Sequence, residues 1–265
     1  MQSSNPVLRR LGEPEAQERR WGADPYAQPT VVAPGRVSAR SMTIDDVVVR
    51  TAALLVLTGI VAALSWYVVP QTGPMVALAM IGASLAGIVL VLVISFARIT
   101  NPVLIGLYAV VEGVLLGVAS RWFEQAYPGI VVQAVIGTFG VFAGMAALYA
   151  TRVLRATPKF TRFVIGALIG VVVLGLVNWV VYLFGGNLGL VEYSRTGQVG
   201  WLPIVFSLVC IAVGALTFIL DFDLVEQGVR SGLPERYAWY CAFGILVGLI
   251  YLYWQILRLL SYLRR

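Results

Sequence analysis

The chain returns seven times to an apolar run about as long as a bilayer is thick: 48–69, 75–97, 102–123, 129–150, 163–185, 201–221 and 238–260. A helix rises ~1.5 Å per residue, so about 20 residues span the ~30 Å hydrocarbon core. Inside lipid each backbone N–H and C=O must find its partner within the segment, which leaves helices for runs of this length. The pattern predicts an all-α integral membrane protein, a bundle of seven transmembrane helices. Only 12% of the residues are charged, where soluble domains carry about 25%. Turn-forming residues fill the breaks, as in Pro70-Gln-Thr-Gly-Pro74, Tyr127-Pro-Gly129 and Ser231-Gly-Leu-Pro234. Glycines inside the segments, among them Gly82, Gly87, Gly113, Gly117, Gly140 and Gly144, predict close approach of helix backbones. The seventh segment is apolar around its circumference and is expected to be the most enclosed.

Residues 1–42 have another character. RRLGEPEAQERRWGADPYAQP has no apolar period, and no hydrophobic run follows Arg9 and Arg10. The stretch reads as a disordered tail rather than a signal peptide, and the membrane domain covers 43–265. Thr43 with Asp46 three residues on predicts a capping box at the start of the first helix. The basic residues, all Arg except Lys159, lie mostly at segment ends, a mark of topology and not of nucleic-acid binding. Short loops on the side of the tail hold Arg98, Arg152, Arg155, Lys159, Arg162, Arg230 and Arg236, against Arg121 and Arg195 on the other. That bias predicts a multi-pass protein of the cell membrane with a cytoplasmic N-terminus. Arg264 and Arg265, after an odd number of crossings, run against the rule.

Several chemistries are excluded by residue type. There is no His, which removes His-ligated zinc, His-bound haem and His acid–base work. Cys210 and Cys241 both sit in apolar segments and read as small buried apolar residues. No phosphate-binding glycine loop, nucleophile elbow or helical zinc motif is present. No enzyme activity, resident metal or cofactor is expected.

The functional reading rests on acids at membrane depth. In LTFILDFDLVEQG (216–228) apolar sequence runs into Asp221, Asp223 and Glu226 with no turn residue between. Carboxylates at such a place are costly unless they face a protein interior or water. Asp221 and Asp223 are two apart, about 200° on a helix, and cannot share one partner. Asp221 lies on the face of Thr217 and Leu224 and is expected to point inward, while Asp223 and Glu226 form a second, wetter face. Glu112 lies about ten residues into the third segment, where an acid costs ~2.5–3.5 kcal/mol on insertion scales. It reads as a protonatable or cation-facing group, or as a carboxyl making one interhelical hydrogen bond, with Asn178 or a backbone carbonyl as the expected partner. Arg98 closes the second segment and reads as a snorkelling anchor or as a partner for Asp221. Asn178 and Gln255 are expected to hydrogen-bond between helices, and Tyr251, Tyr253 and Trp254 resemble an interfacial belt.

Beside the polar tail, MTIDDVVVRTAAL (42–54), EGVLLG (112–117), ILDFDLVEQG (219–228) and LYWQILRLLSYL (252–263) together resemble the Bax inhibitor superfamily, the transmembrane Bax inhibitor motif proteins, in its bacterial branch. The resemblance implies seven helices with the seventh central. It also implies a pH-sensitive calcium leak gated by two aspartates on the sixth and seventh helices, with an Arg from the end of the second helix against them. By position these fall on Asp221 and Arg98, and the seventh-helix place is taken by Gln255. An amide cannot share a proton with Asp221 as a second acid would, which leaves Glu112 or Asp223 to supply the missing acid.

Two functions follow. One is a pH-sensitive leak channel or carrier for calcium or another cation, since carboxylate and carbonyl oxygens suit a hard cation. The other is a membrane adaptor that binds and modulates a membrane protease or stress-response partner, with the tail and basic loop carrying the function. The lipid bilayer, a transported cation and a membrane protein partner are the expected partners.

Overall fold

The computed structural model describes residues 40–70, 74–186, 188–191 and 200–264. Among the described residues are seven helices: α1 (Ile44–Val68), α2 (Pro74–Ala97), α3 (Pro102–Ala126), α4 (Ile130–Ala150), α5 (Pro158–Leu183), α6 (Trp201–Arg230) and α7 (Tyr237–Leu263). Each is long and apolar enough to cross a membrane. Their starts follow local chemistry. The Thr43 hydroxyl accepts from the Asp46 N–H at 3.2 Å while the Asp46 carboxylate accepts from the Thr43 N–H at 2.9 Å, the capping box that the sequence predicts. Asn101 and Thr157 cap α3 and α5, each followed by a proline in the first turn, where its missing N–H costs nothing.

The sixth helix outruns its apolar stretch of 201–221 and continues to Arg230, up to the expected break at Ser231, because nothing in DFDLVEQGVR turns the chain before Ser231 and the left-handed Gly232 (φ 65°). Its 30 residues make a rod of about 45 Å, longer than the ~30 Å core, so its last turns stand at or beyond the membrane surface.

The connections α2–α3, α4–α5 and α6–α7 share one face of the bundle with the start of α1, called here the N face. The expected tail falls almost wholly on residues 1–39, outside the described residues, which begin at Arg40. The Met42 N–H donates to the Leu233 carbonyl at 2.8 Å, and the Glu235 N–H donates to the Arg40 carbonyl at 2.9 Å. Met42 is buried. Arg50 of α1 donates to the carbonyl and carboxylate of the same Glu235 and lies 5.2 Å from the centroid of the Trp239 ring. Seven crossings carry the end of α7 to the opposite face. There Arg264 donates to the Pro128 carbonyl and the Gln133 side chain, both at 2.7 Å. That position explains a terminal cation which violates the charge rule: it ties α7 to the α3–α4 turn.

α7 packs against α1, α3, α4 and α6, and α3 packs against α1, α2, α4 and α7. No residue of α7 from Tyr237 to Tyr262 is exposed. α2 packs on α3 alone and α5 on α6 alone, and both turn many large apolar side chains outward. The closest helix pair is α1 with α3. A Cβ on Gly117 would stand 2.2 Å from the Ala62 carbonyl oxygen, and one on Gly113 would stand 2.8 Å from that of Thr58. Only glycine permits this approach.

Candidate functional site

Asp221 sits three-quarters of the way along α6, on the side turned to α7. Its Oδ1 lies 3.7 Å from where a Cβ on Gly244 would stand, and Cys241, one turn earlier on α7, is its other near neighbour. The carboxyl thus lies in the α6–α7 seam, at van der Waals distance from the Gly244 position. Among the described residues no hydrogen bond or ion pair reaches Asp221, so its charge or its proton is left to whatever enters the seam.

Glu112 is buried in α3. Its carboxyl lies against α2, where a Cβ on Gly87 would be only 2.6 Å from Oε1. Tyr108, one turn earlier, brings its hydroxyl close to the carboxyl, and the Tyr108 ring meets Phe243 of α7 edge-on at 5.0 Å between centroids. The same short stretch of α7, Cys241 to Gly244, therefore meets Asp221 from α6 and the Tyr108 ring from α3, while the Glu112 carboxyl lies on the α2 side of α3.

Other expected contacts are not formed. Arg98 is exposed at the end of α2, in a left-handed conformation (φ 47°) that closes the helix. Because α2 packs on α3 alone, Arg98 does not pair with Asp221. Gln255 lies eleven residues beyond Gly244, about 16 Å along α7, and does not face Asp221 either. Gln255 instead lies beside the Tyr251 hydroxyl, and its buried Oε1 has no partner among the described residues. Asn178 does not meet Glu112, since α5 reaches only α6. The aromatic residues of α7 do not form an interfacial belt: the Tyr253 and Ser120 hydroxyls bond at 2.7 Å, and the Tyr251 hydroxyl donates to the Cys210 carbonyl at 3.5 Å.

Asp223 and Glu226 belong to another space. Asp223 accepts from the Gln227 amide at 2.5 Å, and Glu226 accepts from the Tyr149 hydroxyl and from Arg230. Both acids line a cavity that opens between α1, α4 and α6 at the N face. Cys210 and Cys241 are buried and free. Among the described residues no group of three or more acids or cysteines could hold a metal ion.

Tyr108 was missed as the partner of Glu112, although its position four residues earlier puts it on the same helix face. Cys241 and Gly244 carried no signal, because their role depends on the register of α7 against α6. Arg121, counted as a loop cation, donates from the end of α3 to the Trp66 and Val69 carbonyls, where a cation complements the last turn of α1.

No curated protein matches the chain. A protein-family model described as Bax inhibitor 1 like matches residues 5–265.

Proposed function

The chain belongs to the Bax inhibitor 1 like family, a multi-pass membrane protein, and on that premise we propose that it is a pH-sensitive leak channel or carrier for cations, calcium foremost. It has no catalytic role in this reading. The supporting observation is Asp221, a carboxyl in the α6–α7 seam that no hydrogen bond or ion pair reaches among the described residues. An acid in a helix seam with no internal partner is a place where a proton and a cation compete, and carboxylate oxygen suits calcium. Asp221 then acts without Arg98 and without a second acid at Gln255. Glu112, held by Tyr108, is the second polar station, and α7 is the central helix against which α6 moves. The N face is cytoplasmic, because the short loops there carry most of the Arg and Lys, and the membrane is the cell membrane.

Purified protein in liposomes loaded with a calcium-sensitive dye tests the reading. Wild type is expected to admit calcium faster than protein-free liposomes, with a rate that changes with pH, and Glu112→Gln to slow it. A wild-type rate equal to that of empty liposomes at every pH would reject transport and favour the adaptor that restrains a membrane protease.

A further inference from the structure

α1 and α4 both pack on α7 but not on each other. The gap between them is a cleft with α7 as its floor, made of two cavities of about 970 and about 370 Å³ that share Leu55 as a wall. The smaller one, farther from the N face, is walled by Gly59, Ala63, Val135, Phe139 and Leu249. Its hydroxyls are already committed. Thr58 donates to Leu54 O at 2.9 Å, Thr138 to Ala134 O at 2.7 Å, and Ser120 bonds Tyr253 at 2.7 Å. Nothing there would recognise a polar ligand.

The larger cavity has the opposite chemistry at its mouth. Arg152, Arg155 and Arg230 line it together with Asp223 and Glu226. Both acids are engaged, Asp223 by Gln227 and Glu226 by Tyr149 and Arg230. Arg152 and Arg155 are exposed and make no ion pair among the described residues. A cation would be repelled from this mouth, and a soluble anion would have no use for the apolar channel behind it. From Arg152 to Val135, α4 descends about 25 Å, more than the ~15 Å that the chains of one leaflet fill.

We propose that the α1–α4 cleft is a binding site for an anionic glycerophospholipid of the N-face leaflet, its phosphate held by Arg152 and Arg155 and an acyl chain laid along α7 towards Gly59 and Phe139. The site is separate from the acids at Cys241–Gly244, and its occupancy can be read without measuring ion flux.

Native mass spectrometry of the detergent-purified protein, titrated with phosphatidylglycerol or phosphatidylcholine of identical chains, tests it. Wild type is expected to retain one phosphatidylglycerol in preference to phosphatidylcholine. Arg152→Gln with Arg155→Gln should weaken that binding by about tenfold or more, as basic residues near anionic headgroups do. Gly59→Leu fills the channel from a position where a Cβ meets nothing within 4 Å, so the fold is kept while binding of the chain is reduced. Lys159→Gln with Arg162→Gln, outside the cleft, should change nothing, and inorganic phosphate should not compete. Equal retention of the two lipids, unaffected by the arginine changes, would overturn the proposal in favour of ordinary boundary lipid. Loss of binding in the arginine variants with none in Gly59→Leu, or displacement by phosphate alone, would overturn it in favour of a surface anion patch.

Discussion

Gly113 and Gly117 in α3 have the same spacing as Gly140 and Gly144 in α4, yet the first pair lies against α1 and the second faces nothing. A Cβ on Gly117 would meet the Ala62 carbonyl at 2.2 Å and the Ser65 hydroxyl at 1.9 Å, whereas one on Gly140 or Gly144 has no atom within 4 Å. The two flanks of α1 differ too. Towards α3 its backbone is in contact; towards α4 a cleft runs above α7. A small-residue spacing permits close approach, and the neighbours that reach that face decide whether the approach happens. The sealed flank fixes α1, α3 and α7 together, and the open flank leaves the membrane access to α7.

This contrast can be broken at graded cost. Gly117→Leu should be the most damaging change, since the side chain must displace backbone: a loss of about 3 kcal/mol or more, seen as little or no folded protein after purification in detergent. Gly113→Ala should cost about 1–3 kcal/mol, measurable as a lowered midpoint in thermal unfolding. Arg50→Gln, which removes the tie from α1 to Glu235, should cost about 1–2 kcal/mol and loosen the Arg40–Met42 segment, visible as faster amide exchange at Met42. Gly140→Ala should be neutral or stabilise by up to about 1 kcal/mol through helix propensity. An equal penalty for Gly140→Ala and Gly113→Ala would erase the distinction between the two glycine pairs.

The helices were legible because length and hydropathy set them directly, and Thr43 with Asp46 marked the first start to the residue. The end of α6 was legible as well, because no turn residue separates the acids of 221–226 and the turn signal comes only at Ser231. The site was legible only in part. Glu112 and Asp221 stand out as costly residues, and Tyr108 could have been read from its spacing to Glu112. The separation of Arg98 from Asp221 could not, because their order in the chain says nothing of α2 packing on α3 alone. Gln255 was misread for a similar cause: the α6–α7 turn brings Cys241 and Gly244 opposite Asp221, and Gln255 lies near the other end of the helix.

The reading of function stands or falls with Asp221. Calcium entry into liposomes, followed across neutral pH for wild type, Asp221→Asn and Asp223→Asn, addresses it directly. Wild type should show a shallow pH response of about one proton, because no second acid adjoins Asp221. Asp223→Asn should keep that response, and Asp221→Asn should alter the flux and remove most of its dependence on pH. An Asp221→Asn protein with the rate and pH response of wild type would contradict the account.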